Sequence, residues 1–250
     1  MNPDPRVDGA AMELVGRLVE ASNATFLARH EGRDVVYKPV AGEAPLWDFP
    51  RHSLGRREVA AHALSEAAGF SVVPPTRWVE DGPFGAGSLQ DWVEADGDEL
   101  AQLVPLGAEP EGWFAVVEGV DADENEVVLV HADHPGLRRL ALFDVVVNNA
   151  DRKAGHILRR DEEVFGIDHG VCFHHEDKLR SILWGWADQP LTQDERALVE
   201  RVLEVAEDSL GPWLHPVEAA ACLSRARQLL ESGRMPSPGQ RWPVIPWPPI

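Results

Sequence analysis

Cysteine is scarce in this chain, with Cys172 and Cys222 the only two in 250 residues. They form no CxxC pair and no plausible zinc set, which argues against a disulfide framework or a thiolate metal centre. No basic-plus-apolar segment opens the sequence, so no secretory leader is expected. Long hydrophobic runs are missing too. The longest, such as LALFDVVV from Leu140, fall far below the roughly 20 residues of a membrane span. A reduced, cytoplasmic protein is the expectation. Basic residues vanish locally: fifteen carboxylates and no Lys or Arg stand between Arg77 and Arg138. The formal net charge is −19. Such a surface repels phosphate backbones, so nucleic acid is not an expected partner. The acidic stretch itself reads as a solvated face. There are no internal repeats.

With 44% of its residues hydrophobic, the chain can build one large domain or two small lobes sharing a core. Residues 12–40 read as a three-stranded antiparallel meander, MELVGRLV, TFLARHE and DVVYKPV, with turns at 21–24 and 31–34. SLGRREVAAHALSEAAGF reads as a helix with Ser53 as N-cap and Gly69 just past its end. VVPPTRWVE and GSLQDWVE look like two more strands, the first started late by Pro74 and Pro75. The segment from Asp96 to Pro135 reads as irregular. LRRLALFDVVVNNA reads as a buried helix, and ILRRDEEVFGIDHG as a hairpin. Thr192 and Glu195 form a capping box before a helix, and a second helix ends at Gly233. The Pro/Trp-rich tail should be extended and polyproline-like. The expected architecture is α+β with two lobes. Residues 1–93 form a β-rich nucleotide-binding lobe, 94–235 a mainly helical catalytic lobe, and 236–250 the tail.

Two aspartates flank the hairpin. Asp151 lies in NNADRKAGHIL and Asp168 in GIDHG. Upstream, Lys38 ends an apolar strand and Glu58 sits early in the first long helix. Taken alone, Lys38 reads as a surface lysine and Glu58 as a residue matched to the helix dipole. Together they fit phosphoryl transfer. That chemistry needs a lysine on the phosphates, a glutamate to hold it, an acid to position the attacking hydroxyl and a second acid for the metal. Lys153 could neutralise charge on the transferred group.

The pieces VVYKP, SEAAGFSVVPPT, GSLQDWVE, NNADRKAGHIL, GIDHGVCF and WGWADQPLTQDE appear in an order that resembles the protein-kinase-like superfamily. The resemblance is greatest to type II phosphatidylinositol 4-kinases and bacterial phosphatidylinositol 3-/4-kinase-like proteins. It covers about residues 13 to 200. It implies ATP in a cleft between lobes, with Mg²⁺ or Mn²⁺. Lys38 would contact the phosphates, Glu58 would orient Lys38, Asp151 would be the catalytic aspartate and Asp168 the metal ligand. Ser22, Asn23, Ala24 and Thr25 would form the phosphate-covering turn. Gln90, Asp91, Trp92 and Val93 would form the hinge against the adenine. The expected activity is a phosphotransferase acting on a hydroxyl of a lipid, a protein or a small molecule. The chain shows no basic cluster for docking on an anionic membrane, so peripheral membrane contact has no support in the sequence.

One position departs from the pattern. Kinases carry a metal-binding asparagine five residues after the catalytic aspartate, and here that residue is His156. It is a bystander, a ligand for a softer ion such as Mn²⁺, or the mark of a degenerate, nucleotide-binding pseudokinase. An AMP transferase on the same fold needs the same acids. A metal hydrolase is the remaining rival. It would draw on His131, His134, His174 and His175, but no HExxH helix is present and these residues read as surface or hydrogen-bonded histidines. His169, inside GIDHG, belongs beside the metal. Trp184, Trp186, Trp242 and Trp247 read as packing residues.

Overall fold

The computed structural model describes residues 6–9, 12–18, 23–239 and 243–250. Six strands make the N-terminal sheet: β1 (Arg6–Val7), β2 (Glu13–Leu18), β3 (Thr25–His30), β4 (Arg33–Pro39), β5 (Thr76–Gly82) and β6 (Gly85–Asp91). Their order is β1-β5-β6-β4-β3-β2. Only the β1–β5 pair is parallel. The expected meander is there. Its second turn has Glu31 at φ 50° and Gly32 at φ 76°, the double positive φ that suits the twist of a tight hairpin. Strand pleating sorts the side chains of β4. Val35 and Tyr37 turn into a small core with Ala28, Val79 and Leu89, so Lys38 must emerge on the opposite face.

That opposite face meets helix α1 (Leu54–Ala68). Gly69 ends α1 in the left-handed conformation, φ 79°, as expected. Ser53 does not cap the start. Its backbone is already helical, and its hydroxyl donates to the Pro50 carbonyl at 2.7 Å. Glu43 takes over, accepting from the Gly55 amide at 2.8 Å. Both sides of α1 are buried, between the sheet and the helices that follow.

The acidic segment corrects the sequence expectation. It holds a three-stranded antiparallel sheet, β7 (Ala101–Pro105), β8 (Trp113–Val120) and β9 (Glu126–Ala132), in the order β7-β9-β8. The central strand buries Val128, Leu129, Val130 and His131 in succession. The usual in/out alternation is therefore lost, and the flanking strands are largely exposed. Helix α2 (Pro135–Val147) starts earlier than expected because His134 caps it, its imidazole accepting from the Gly136 amide at 3.1 Å. It also stops earlier. Asn148 turns left-handed at φ 55° and throws residues 148–150 out of the helix.

The hairpin β10 (Ile157–Arg160) and β11 (Glu163–Gly166) forms as expected, as do α3 (Gln193–Leu210), with its Thr192/Glu195 capping box, and α4 (Pro216–Ser232), ending at Gly233. One apolar core runs from Val59 and Leu64 of α1 through Leu140 and Phe143 of α2 to Val199 and Cys222 of α3 and α4. Tail residue Val244 lies back on this unit, its carbonyl accepting from the Ser181 amide at 2.9 Å and from Trp184 Nε1 at 3.1 Å.

Candidate active site

The site is assembled from three places. β4 brings Lys38, α1 brings Glu58, and the loops on either side of the β10–β11 hairpin bring Asp151, Lys153, His156 and Asp168. Lys38 Nζ donates to Glu58 Oε1 at 2.5 Å and to Asp168 Oδ1 at 3.0 Å. The second oxygen of Glu58 accepts from the His169 amide at 2.9 Å, which ties α1 to the Asp168 loop. Asp168 Oδ2 lies 3.5 Å from His156 Nε2. His156 Nδ1 lies 3.0 Å from the Asp151 carbonyl. Lys153 Nζ lies 3.4 Å from Asp151 Oδ2. The predicted residues thus form one continuous chain of contacts: Glu58, Lys38, Asp168, His156, Asp151, Lys153.

Burial and charge tune these groups in opposite directions. Burial works against the Lys38 ammonium, but Asp168 and Glu58 outweigh it and hold its pKa above the usual lysine value. The Lys38 charge holds Asp168 well below the usual carboxylate range, against burial. Burial raises Asp151, with Lys153 pulling the other way. Burial also lowers His156 despite the Asp168 carboxylate, so its imidazole is neutral near pH 7. Opposite a carbonyl, Nδ1 must be the donor, which leaves a lone pair on Nε2. That lone pair faces the Asp168 carboxylate. Two ligand atoms on one divalent ion at about 2.0–2.2 Å stand about 3.0–3.5 Å apart at ordinary angles. The His156–Asp168 spacing fits a shared cation. Among the described residues no group of three such side chains forms a complete metal cage.

Sequence reasoning missed the groups that hold this loop. Arg152 is fully buried. Its Nε and Nη2 fork onto Asp144 of α2 at 2.8 and 2.9 Å. Its Nη1 donates to the carbonyls of His156 and Ile167 at 3.0 and 2.9 Å. One guanidinium therefore clamps both aspartate-bearing loops. Asn149 supports it, donating to Asp144 Oδ1 and accepting from the Asp151 amide, both at 2.9 Å. His169 is buried and lies 2.9 Å from Arg152 Nη2. Burial, and then the Arg152 charge, push its pKa well down. Two signals pointed here. Asp144 interrupts an otherwise apolar run, and the chain has just three lysines, Lys38, Lys153 and Lys178, two of them in the site.

The other predicted residues are less closely tied to this centre. Ser22 lies outside the described residues. Asn23 Oδ1 accepts from the Ala44 amide at 2.7 Å, and the Ala24 amide donates to the Gly42 carbonyl at 3.1 Å. The Ala24 amide is thus already engaged within the chain. At the hinge, Gln90 donates to Thr76 Oγ1 at 2.8 Å and the Asp91 carboxylate pairs with Arg77, so both side chains are structural. The Trp92 amide donates to the Asp34 carbonyl at 3.0 Å. The Val93 amide has no acceptor among the described residues. Of the histidines a metal hydrolase would draw on, His134 caps α2, His175 is exposed and the other two are hydrogen-bonded. His131 is buried between the Gly185 amide and the Ala132 carbonyl, at 3.0 and 3.1 Å, and His174 bonds the Asp48 carbonyl at 3.0 Å. Trp186 packs in the core, Trp247 is instead exposed, against expectation, and Trp242 lies outside the described residues.

No protein-family model matches the sequence. Protein Rv2133c of Mycobacterium tuberculosis is 42% identical over 259 residues, covering 95% of this chain and 91% of that protein. The chain belongs to the Rv2133c family. Phosphatidylinositol 4-kinase gamma 4 of Arabidopsis thaliana is 29% identical over 210 residues, 71% of this chain. The match spans only 32% of the plant protein. Among solved structures, the Helicobacter pylori proinflammatory kinase CtkA aligns with a TM-score of 0.51 at 12% identity, over 92% of this chain and 95% of that one. The fold of this Rv2133c relative is therefore kinase-like, with a β-rich N-terminal region and helices later in the chain. Among the described residues no helix is long and apolar enough to cross a membrane.

Proposed function

We propose that the chain is an ATP- and divalent-metal-dependent phosphotransferase. The observation that carries this is the unbroken contact chain from Glu58 through Lys38, Asp168, His156 and Asp151 to Lys153. A kinase-like fold and a distant relative named as a phosphatidylinositol 4-kinase support it.

Nucleotide lies in the cleft below the N-terminal sheet, its adenine against residues 90–93 and the Val93 amide open to it. Lys38, held by Glu58, contacts the phosphates. Asp168 and His156 would hold a divalent cation, which would supply positive charge against the nucleotide phosphates. Asp151 orients the acceptor hydroxyl. A bond forms between the acceptor oxygen and the γ-phosphorus while the bond from that phosphorus to the β–γ bridging oxygen breaks. The hydroxyl proton passes to Asp151 and then to solvent, and ADP leaves. Lys153, beside Asp151, offsets charge on the transferred group. Asp151 suits a base because burial raises its proton affinity above that of an ordinary carboxylate, with the Lys153 ammonium pulling the other way.

The plant relative's name makes an inositol lipid one candidate acceptor. A small-molecule or protein hydroxyl is another. Incubating the protein with ATP and Mg²⁺ or Mn²⁺, with and without a cell extract as acceptor source, and separating the nucleotides tests the reading. ADP is the expected product. Pyrophosphate would point to AMP transfer, and nucleotide binding without turnover to a pseudokinase.

A further inference from the structure

Resting on the kinase reading above, we infer that Arg180 is an anion-recognition residue that selects an acceptor with a phosphate or carboxylate beside its hydroxyl. Residues 180–182 run alongside the Asp151 loop. The Arg152 amide donates to the Arg180 carbonyl at 3.0 Å, the Ile182 amide to the Arg152 carbonyl at 3.3 Å, and the Arg180 amide to the Asn149 carbonyl at 2.9 Å. Arg152 and Ser181 form a parallel bridge. Bridged residues share a face, and their chain neighbours take the other. Arg152 and Ser181 are buried, whereas Asp151 and Arg180 are half-buried. The Arg180 side chain therefore leaves the chain on the face that carries Asp151. Strands so paired lie about 4.8 Å apart.

Arg180 has no hydrogen-bond or ion-pair partner there among the described residues. Its Nε is buried without a hydrogen-bond partner, and no carboxylate or carbonyl among the described residues pairs with its guanidinium. The other half-buried arginines, Arg77, Arg138, Arg159, Arg196 and Arg225, each donate to a carboxylate or a carbonyl. Desolvating a guanidinium without a partner is costly. In a chain with 42 carboxylates, an arginine without a partner among the described residues, on a segment paired with the Asp151 loop, is an open site for an anion. The fork geometry suits phosphate or carboxylate. Lys38 and Lys153 already face the candidate nucleotide phosphates and Asp151, so the anion left for Arg180 is one on the acceptor.

The test is a titration of ¹⁵N-arginine-labelled full-length protein with glycerol 1-phosphate. Glycerol is the uncharged control. Vesicles of phosphatidylinositol in phosphatidylcholine, against phosphatidylcholine alone, separate a lipid headgroup from a soluble phosphate ester. The Arg180 Nε–H signal is identified by its loss in Arg180→Gln. It should shift and saturate with a phosphate-bearing alcohol and stay still with glycerol. Arg180→Gln should weaken that binding by about 10- to 100-fold, and Arg180→Lys by less, because it keeps the charge but loses the fork. An unmoved Arg180 signal with every probe, or unchanged affinity in Arg180→Gln, would overturn the inference. Nucleotide affinity is read separately on the same protein. Its absence would sink the kinase reading, whereas the anion titration decides Arg180 by itself.

Discussion

Breaking the buried pair between Arg152 and Asp144 should separate stability from activity. Arg152→Met leaves Asp144, 1% exposed, with one remaining side-chain donor, Asn149 Nδ2. Removing one partner of a buried ion pair costs about 3–5 kcal/mol. A domain's whole stability is about 5–15 kcal/mol, so the variant should be marginal. Adding Asp144→Leu removes the stranded charge. Replacing a buried pair by apolar groups is roughly neutral or better. What remains lost are the donors to the His156 and Ile167 carbonyls, the partner of His169 Nε2 and the acceptor of Asn149 Nδ2, about 1–3 kcal/mol for each group left unpaired. The double variant should therefore be more stable than Arg152→Met alone, yet ATP turnover should not return, because the guanidinium that bonds both aspartate loops is still missing. Urea unfolding followed by tryptophan fluorescence measures the first part, and ADP release the second. A single variant costing under about 1 kcal/mol, or a double variant no more stable than the single, would refute this reasoning.

Asp151 must be ionised to accept a proton, and burial raises its pKa while Lys153 lowers it. Turnover should therefore fall on the acid side at a higher pH than an ordinary carboxylate, about 3.9, would give. Lys153→Met should move that limb further up in a pH profile of kcat/KM, and a limb that stays or moves down contradicts the assignment. His156→Asn swaps an imidazole for an oxygen ligand, so the ratio of Mn²⁺- to Mg²⁺-supported turnover should drop; an unchanged ratio would make His156 a bystander. Arg57, buried in α1, pairs with Glu218 of α4 and donates to the Cys172 carbonyl at 2.6 Å. Arg57→Met should cost about 3–5 kcal/mol in urea unfolding and also weaken nucleotide binding in a nucleotide titration, because α1 carries Glu58.

Much of this was legible beforehand, for identifiable reasons. The meander, the 157–166 hairpin and the last two helices announce themselves through local chemistry: paired turn residues, a Thr–Glu capping box and a terminal glycine. Lys38, Glu58, Asp151 and Asp168 were readable as an ordered set. What stayed hidden depends on partners far away in sequence. Arg152 is one basic residue among many until α2 places Asp144 beneath it. Arg180 is notable only for lacking a partner among the described residues. The β7–β9–β8 sheet was obscured because its central strand is buried on both faces and its edges are acidic and exposed, so no period-two pattern survives. Ser53 looked like a cap, but Glu43, ten residues earlier, reaches the helix start instead.

The central claim is that Asp151 and Asp168 perform phosphoryl transfer in one site. The most direct test compares ATP turnover by the parent protein, Asp151→Asn and Asp168→Asn, with nucleotide affinity measured alongside. Asp151→Asn should remain folded and bind nucleotide as the parent does, because it removes a charge whose ionisation burial already opposes. Its ADP formation should fall by about 100- to 10,000-fold. Asp168→Asn should lose both turnover and metal-dependent nucleotide binding. Turnover by Asp151→Asn at the parent's rate would contradict the account.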